Sequence, residues 1–206
     1  LWNRLYLDPL FRGHYPEDIL AWLDQAGILP DAIAKPQPEE MQMISQETDF
    51  LGINYYTRNQ VAWDPADRLL NASAITPRLP VTAMGWEVYP EGLFKVLKRV
   101  SDDYTRIPLF ITENGAAFDD SLPPDGSIVD DSARVAYLSS HLDAAHRVCE
   151  CGINLRGYYV WSLMDNFEWA QGYSKRFGLV HVDFQTQRRT PKRSALWYRD
   201  FITSQR

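Results

Sequence analysis

Cysteine is scarce in this sequence, which excludes a small fold held together by disulfides. The two cysteines among 206 residues are Cys149 and Cys151, and one intervening residue leaves them badly placed for an unstrained disulfide with each other. We expect both to be reduced thiols. The four histidines share no ligand spacing with the cysteines, so the sequence predicts no metal site and calls for no cofactor.

Positive charge and long apolar runs are scarce as well. The 21 lysine and arginine residues are outnumbered by 27 aspartate and glutamate residues, giving a formal net charge of −6. Because phosphate binding needs a basic patch, this balance argues against nucleic acid as a partner. No apolar run approaches the roughly 20 residues of a spanning helix, so no membrane partner is expected. Residues 1–12 lack the sections of a signal peptide; we therefore predict a cytoplasmic protein whose natural start lies further upstream.

Aromatic residues, by contrast, are abundant. They make up 13% of the chain and include 7 tryptophans. Most aromatic side chains pack in cores, but tryptophan and tyrosine also line pockets for sugars and other amphipathic ligands. The composition therefore allows a small-molecule site in a folded protein.

Short apolar runs alternate with helical periodicity, which predicts β-α units and a parallel sheet. The predicted strands are residues 50–57, 108–112 and 157–163. The predicted helices are residues 90–102, 130–150 and about 192–202, with longer polar connections at 58–85 and 116–129. Three such units form an open sheet, whereas a closed eight-stranded barrel typically needs about 250 residues. Because 206 residues are fewer than such a barrel needs, the length suggests that the chain is part of a domain.

A carboxylate lies at the end of the second predicted strand. Glu113 follows the apolar run from Ile107 to Ile111, where burying a charge is costly unless it has partners. A lone glutamate in such a place is most often a helix-capping or salt-bridged residue. The alternative is a nucleophile or an acid/base group, because parallel barrels collect catalytic residues at the carboxyl ends of their strands.

The first predicted strand has a polar face and an apolar face, because strand side chains alternate. The polar face carries Gly52, Asn54 and Tyr56, and the apolar face carries Leu51, Ile53 and Tyr55. In a barrel the polar set would point inward. A half-exposed edge strand gives the same pattern, and this segment alone does not distinguish the two.

The third predicted strand is aromatic and continues into a loop with acidic residues. Trp161 offers a stacking face for a sugar ring, and Glu168 could accept hydrogen bonds from its hydroxyl groups. The alternative is an aromatic core strand followed by a solvated loop. Lys175 and Arg176, further along, are interpreted as exposed loop cations.

Three motifs together resemble glycoside hydrolase family one, the β-glucosidase family. They are Phe50-Leu-Gly-Ile-Asn-Tyr-Tyr56, Ile111-Thr-Glu-Asn-Gly115 and Val160-Trp-Ser-Leu-Met-Asp-Asn-Phe-Glu-Trp169. The resemblance covers essentially the whole chain and corresponds to the C-terminal half of a family member. It implies an α/β fold, the (β/α)8 TIM barrel, of which residues 1–206 would supply about strands six to eight and their helices, with no internal domain boundary.

The resemblance implies a retaining β-glycosidase, most simply a β-glucosidase, acting on a small β-glycoside or an oligosaccharide. Glu113 would be the nucleophile that forms the covalent glycosyl-enzyme, and Tyr56 its hydroxyl partner. The implied substrate-binding residues are Asn54, Trp86, Trp161, Glu168, Trp169 and Phe177. For Trp86, on the leaving-group side, a core position is the alternative. An acid at position 168 would repel a phosphate dianion, which favours unphosphorylated β-glucosides or β-galactosides.

The family's acid/base motif, Asn-Glu-Pro, occurs nowhere in the sequence. We therefore predict that the chain alone is inactive and that its partner is the N-terminal half of the barrel. An exposed edge next to the first predicted strand would also be an aggregation hazard. The alternative is a non-catalytic barrel fragment with at most weak sugar binding.

Overall fold

The computed structural model describes residues 2–29, 36–67, 70–123, 125 and 127–205. Its helices are α1 (Trp2–Arg12), α2 (Glu17–Gln25), α3 (Pro38–Ile44), α4 (Pro90–Asp103), α5 (Ser132–Glu150) and α6 (Arg193–Ser204). Its strands are β1 (Leu51–Asn54), β2 (Val61–Trp63), β3 (Ala72–Ala74), β4 (Leu109–Asn114), β5 (Leu155–Val160), β6 (Val180–Val182) and β7 (Arg189–Pro191). A short 3-10 helix covers Trp169–Gln171.

The main sheet is parallel and open. Its strand order is β1-β4-β5, so β4 is central and each outer strand has one unpaired edge in the described part of the chain. The helices α4 and α5 lie between these strands in sequence and pack against the sheet through Leu93, Leu97, Ile111 and Val148. The predicted α/β organisation is confirmed, and the described residues form no closed barrel.

The predicted elements are found with shifted ends. β1 stops at Asn54, where its register against β4 shifts, so Tyr55 and Tyr56 lie just beyond the strand. β4 runs on through Asn114, which places Glu113 inside the strand. β5 begins at Leu155, two residues before the predicted start of the third strand. The three predicted helices coincide with α4, α5 and α6 to within about two residues.

Several elements were not predicted from the sequence. The connection at 58–85 is not simply a polar loop, because it contains the antiparallel pair β2 and β3. The segment before residue 50 contains three described helices, and the first of them has Pro9 inside it. Because proline normally interrupts the interior of a helix, the local sequence argues against a helix at the position of α1.

The alternation along the first strand is confirmed. Tyr55 is buried in the core against α4, and Leu51 and Ile53 pack on the same cluster. Gly52 and Asn54 point to the exposed face of the sheet. The apolar set therefore anchors β1 to the helices, and the polar set stays on the side away from them.

Asn114 ties together the ends of all three parallel strands. Its side chain is fully buried, and its Nδ2 donates to the carbonyl of Tyr55 at 2.7 Å and to the Tyr137 hydroxyl at 3.1 Å. The Tyr158 hydroxyl donates to its Oδ1, and the Tyr137 hydroxyl donates to the carbonyl of Tyr56 at 3.1 Å. These bonds hold the segments after β1 and at the end of β4 against α5.

Gly115 allows β4 and β5 to approach closely at their carboxyl ends. A Cβ atom at this position would overlap the backbone carbonyl oxygen of Trp161. The amide of Trp161 donates to the carbonyl of Asn114 at 2.9 Å. The absence of a side chain at position 115 thus brings the segments that carry Glu113 and Trp161 together.

Candidate active site

A cavity of about 400 Å³ lies where the three parallel strands end. Of the eight residues predicted for the site, all but Asn54 line it: Tyr56, Trp86, Glu113, Trp161, Glu168, Trp169 and Phe177. Larger concavities, of about 460 and 640 Å³, lie instead at the two outer edges of the sheet. This cavity is therefore not the largest concavity of the described residues. The carboxylates and aromatic rings that line it make it the candidate binding site.

Glu113 is paired with a phenol. The Tyr56 hydroxyl donates to Glu113 Oε2 at 2.6 Å. Burial raises the pKa of Tyr56 above its ordinary value, and the hydrogen bond to Glu113 raises it further. The phenol therefore stays protonated at neutral pH and serves as a donor. Of the alternatives for Glu113, the structure favours a carboxylate facing a cavity over a helix cap or a salt bridge.

Three aromatic rings form one wall of the cavity next to this pair. The Tyr56 ring centroid is 5.4 Å from that of Trp86 and 6.3 Å from that of Phe177, and the last two are 6.1 Å apart. Phe177 is fully buried. The wall is therefore rigid and apolar at the side of the carboxylate.

The loop after β5 also supplies polar groups to the cavity. Trp161 Nε1 donates to Glu168 Oε2 over 3.4 Å, and Glu168 is 8% exposed. A nearly buried carboxylate with so long a hydrogen bond is a ready acceptor for ligand donors. Trp169, the next residue, is 81% exposed. The loop thus presents a carboxylate and an indole to the same cavity.

Asn54 is the predicted site residue that the structure does not bring to the cavity lining. It is the register partner of Glu113 across β1 and β4, and its Oδ1 accepts a hydrogen bond from Thr112 at 2.7 Å. Its side chain is exposed on the open face of the sheet. Asn54 therefore lies beside the site without lining the cavity.

Glu87, the residue after Trp86, anchors the connection that carries Trp86. Glu87 is 2% exposed and accepts from Arg58 Nε at 2.5 Å, from Gln60 Nε2 at 2.9 Å and from two backbone amides. The bond from Arg58 holds the pKa of Glu87 at about 2, well below its usual range. The long connection after β1 is thereby organised around one buried charge, with Trp86 facing the cavity.

Other residues at the site were missed. Met84, Ala170 and Gln171 also line the cavity, although apolar and amide side chains in loops carry no catalytic signature in sequence. The interpretation of Lys175 and Arg176 as exposed cations was wrong, because both side chains are partly buried. Lys175 donates to the backbone carbonyl of Ala83 at 2.7 Å, and Arg176 pairs with Asp165 at 2.5 Å.

Among the described residues no group of three or more histidine, cysteine, aspartate or glutamate residues could hold a metal ion. No helix among these residues has the length and apolar character needed to cross a membrane. Cys149 and Cys151 are free and exposed.

Comparison with known proteins points in one direction. The family model described as glycosyl hydrolase family 1 matches residues 1–206. A 1,4-β-D-glucan glucohydrolase of Thermotoga neapolitana is 45% identical, and β-glucosidase A of Thermotoga maritima is 44% identical, each over 198 residues that cover 96% of this chain and 43% of the relative. A solved β-glucosidase from Thermotoga maritima in complex with deoxynojirimycin superimposes with a TM-score of 0.87 at 44% identity, covering 97% of this chain and 43% of that one. The chain thus spans less than half the length of these relatives.

Proposed function

The chain belongs to glycosyl hydrolase family 1, and on that premise we propose that it is the nucleophile-bearing part of a retaining β-glucosidase. The observation that carries the proposal is the hydrogen bond from Tyr56 to Glu113 in a cavity shared with Glu168. The substrates would be unphosphorylated β-glucosides or β-galactosides. The family predicted from the sequence is thereby confirmed, and the activity is our inference.

Within that proposal, β1, β4 and β5 are about the sixth, seventh and eighth strands of a (β/α)8 barrel. Their parallel order and the position of the cavity at their carboxyl ends agree with where such barrels carry their sites. Residues 1–206 would then form one continuous part of a single barrel. The remaining strands would come from an N-terminal part.

The chemistry follows from two carboxylates about 5 to 5.5 Å apart. Glu113 attacks the anomeric carbon, the glycosidic bond breaks, and the departing oxygen takes a proton from an acid/base carboxylate of the N-terminal part. Water, deprotonated by that same carboxylate, then releases the sugar from Glu113. Tyr56 holds Oε2 of Glu113 and so orients the carboxylate toward the sugar.

The other cavity residues would bind the sugar. Trp161 provides a flat face under the ring, Glu168 accepts hydrogen bonds from hydroxyl groups, and Trp169 donates through its indole. Phe177 closes the sugar side and Trp86 borders the leaving group. Asn54 would take part only through its place beside Glu113.

The partner of this chain would be the N-terminal part of the barrel. Both sheet edges expose large apolar side chains: Phe50 beside β1 is 55% exposed, and Tyr159 and Leu163 at the β5 edge are 57% and 66% exposed. Next to each edge lies one of the two larger concavities. Strands and helices that completed the barrel would cover these surfaces and remove two unpaired edges.

The function can be tested by complementation. Residues 1–206 would be joined behind the N-terminal part of β-glucosidase A of Thermotoga maritima, and both this complemented protein and the chain alone would be assayed with p-nitrophenyl β-D-glucoside. We expect turnover only in the complemented protein, and aggregation of the chain alone. A folded complemented protein without turnover or deoxynojirimycin binding would support the non-catalytic alternative. A soluble, monomeric and cooperatively unfolding chain would contradict the role of the edges.

A second prediction concerns the sugar hydroxyls. In the complemented protein, Glu168→Ser should lower kcat/KM for the plain glucoside by roughly 10- to 100-fold, because hydrogen bonds to a charged group contribute about 1.5 to 3 kcal/mol. Glu150→Ser, at an exposed position on α5, is the matched control and should leave kcat/KM unchanged. Unchanged kinetics in Glu168→Ser would remove this residue from the sugar site.

A further inference from the structure

Six side chains of alternating charge form a continuous chain of ion pairs outside the cavity lining. They are Asp131, Arg134, Asp120, Lys192, Asp165 and Arg176, and the successive N···O distances are 2.5, 2.6, 2.6, 2.8 and 2.5 Å. The first five side chains are at most 1% exposed, and the Arg176 side chain is 24% exposed. None of these six described side chains lines the cavity. We call this set the ion chain.

The ion chain connects segments that are far apart in sequence. Asp120 follows β4, Arg134 opens α5, Lys192 precedes α6, and Asp165 and Arg176 lie in the loop after β5. Asp120 and Lys192 are 72 residues apart. The ion chain therefore sets the position of the loop after β5 relative to the strand that carries Glu113.

Asp165 attaches the loop after β5 to the ion chain through four hydrogen bonds. Its carboxylate accepts from Lys192 at 2.8 Å, from Arg176 at 2.5 Å and from the amides of Gly178 and Val182 at 3.0 and 3.3 Å. Burial opposes its ionisation, but Lys192 and Arg176 outweigh this effect and hold the pKa of Asp165 below its usual range. The loop is thus attached at a charged, fully coordinated point.

A second attachment lies 11 residues further along the same loop. Arg134 Nη2 donates to the carbonyl of Arg176 at 2.7 Å, and Arg176 Nη1 donates to the carbonyl of Val182 at 3.0 Å. Glu168 and Trp169 lie between the two attachments, and Phe177 follows the second directly. The cavity-lining part of the loop is therefore held at both ends by the ion chain.

Stability alone does not account for such an arrangement. Replacing a buried ion pair by well-packed apolar side chains is often neutral or stabilising, because desolvating the charges offsets their attraction. A buried polar network does, however, specify one arrangement of the segments it joins. In the ion chain, Asp120 Oδ1 is the one buried side-chain oxygen or nitrogen of these six described residues without a hydrogen-bond partner. The short segment that the network specifies here is the one that presents Glu168 to the cavity.

We propose that Lys192, acting through Asp165, is a positioning residue that sets the place of Glu168 and thereby the affinity of the site for its sugar. This inference rests on the proposed function, in which Glu168 accepts the sugar hydroxyls. Lys192 touches no substrate. Its effect reaches the sugar only through the loop that carries Glu168.

The test is a double-mutant cycle in the complemented protein with Lys192→Met and Glu168→Ala. Calorimetry with deoxynojirimycin would give the dissociation constants, and p-nitrophenyl β-D-glucoside would give kcat and KM. We expect Lys192→Met to weaken binding about 10-fold and to raise KM more than it lowers kcat. The double variant should bind nearly as weakly as Glu168→Ala alone, because the position of a missing carboxylate no longer matters.

Two further variants keep the test decisive. Lys98→Met removes an exposed lysine that pairs with Asp102 on α4, and it should leave binding unchanged. Asp165→Asn keeps the shape of the side chain but loses its charge, and it should reproduce the raised KM if Lys192→Met does not fold.

Additive effects in the cycle, or unchanged affinity in a folded Lys192→Met protein, would overturn the inference. So would loss of the cooperative thermal transition in both ion-chain variants, which would assign the residues to folding alone. An unsubstituted complemented protein that binds no deoxynojirimycin would instead overturn the proposed function.

Discussion

Glu113→Gln is expected to reduce turnover of p-nitrophenyl β-D-glucoside by the complemented protein by about 10⁴-fold or more, the scale seen when a nucleophile is removed. The amide that replaces the carboxylate cannot form the glycosyl-enzyme, yet it retains an oxygen that can accept from Tyr56. Binding of deoxynojirimycin should therefore survive within about 10-fold. Steady-state kinetics and calorimetry on the same preparation separate the two effects.

The matched control is Glu150→Gln, which alters an exposed glutamate at the end of α5 and should leave turnover intact. A Glu113→Gln protein that kept a tenth of its activity would assign the nucleophile elsewhere. The remaining carboxylate in the described lining of the cavity is Glu168, so that outcome would exchange the roles of the two residues.

The stereochemistry of rescue gives an independent check. In Glu113→Gly, azide could occupy the space of the missing carboxylate and attack the anomeric carbon from the same face. One displacement inverts the configuration, so a β-glucoside would give an α-glucosyl azide. A β-glucosyl azide would place the missing carboxylate on the acid/base side instead.

Gly115→Ala is expected to have the largest effect on stability, a loss of about 3 kcal/mol or more, at the upper end of what overpacking causes. The added methyl group would overlap the carbonyl oxygen of Trp161, and a backbone atom has little freedom to move away. The ends of β4 and β5 would have to separate, breaking the 2.9 Å hydrogen bond from Trp161 to Asn114. Urea unfolding of the complemented protein measures the loss.

The control is Gly27→Ala. Gly27 has a φ of +69° and nothing within 4 Å of the added Cβ, so the substitution carries backbone strain of about 1 to 2 kcal/mol and no overlap. Gly115→Ala should exceed this loss clearly and should also reduce turnover, since it moves Glu113 relative to Trp161. Equal losses in the two variants would contradict the close approach of the strands.

Local patterns in the sequence predicted the features that depend on neighbouring residues. The alternation of Leu51, Ile53 and Tyr55 with polar residues gave the buried face of β1 correctly, because strand geometry makes successive side chains point in opposite directions. The periodicity of α4 and α5 was equally local. Glu113 is recognisable from the sequence as well, because it is a charged residue directly after an apolar run.

The features that could not be predicted from the sequence depend on contacts between residues far apart in the chain. The contacts of Lys192 with Asp120 and Asp165 span 72 and 27 residues, and no spacing rule connects them. Arg176 looked like a solvated loop cation because its buried partner is defined only by the fold. The place of Asn54 beside the cavity, rather than in its lining, depends on where β1 shifts its register.

The tryptophans around the cavity also give the protein an optical property. Three of its seven tryptophans, Trp86, Trp161 and Trp169, border the same space, and Trp169 is 81% exposed. Indole emission shifts to shorter wavelength when water around the ring is replaced by a less polar surface. A ligand filling the cavity would displace water from Trp169 and disturb the contact of Trp161 with Glu168. The fluorescence of the unlabelled protein is therefore an intrinsic reporter of whether the cavity is occupied.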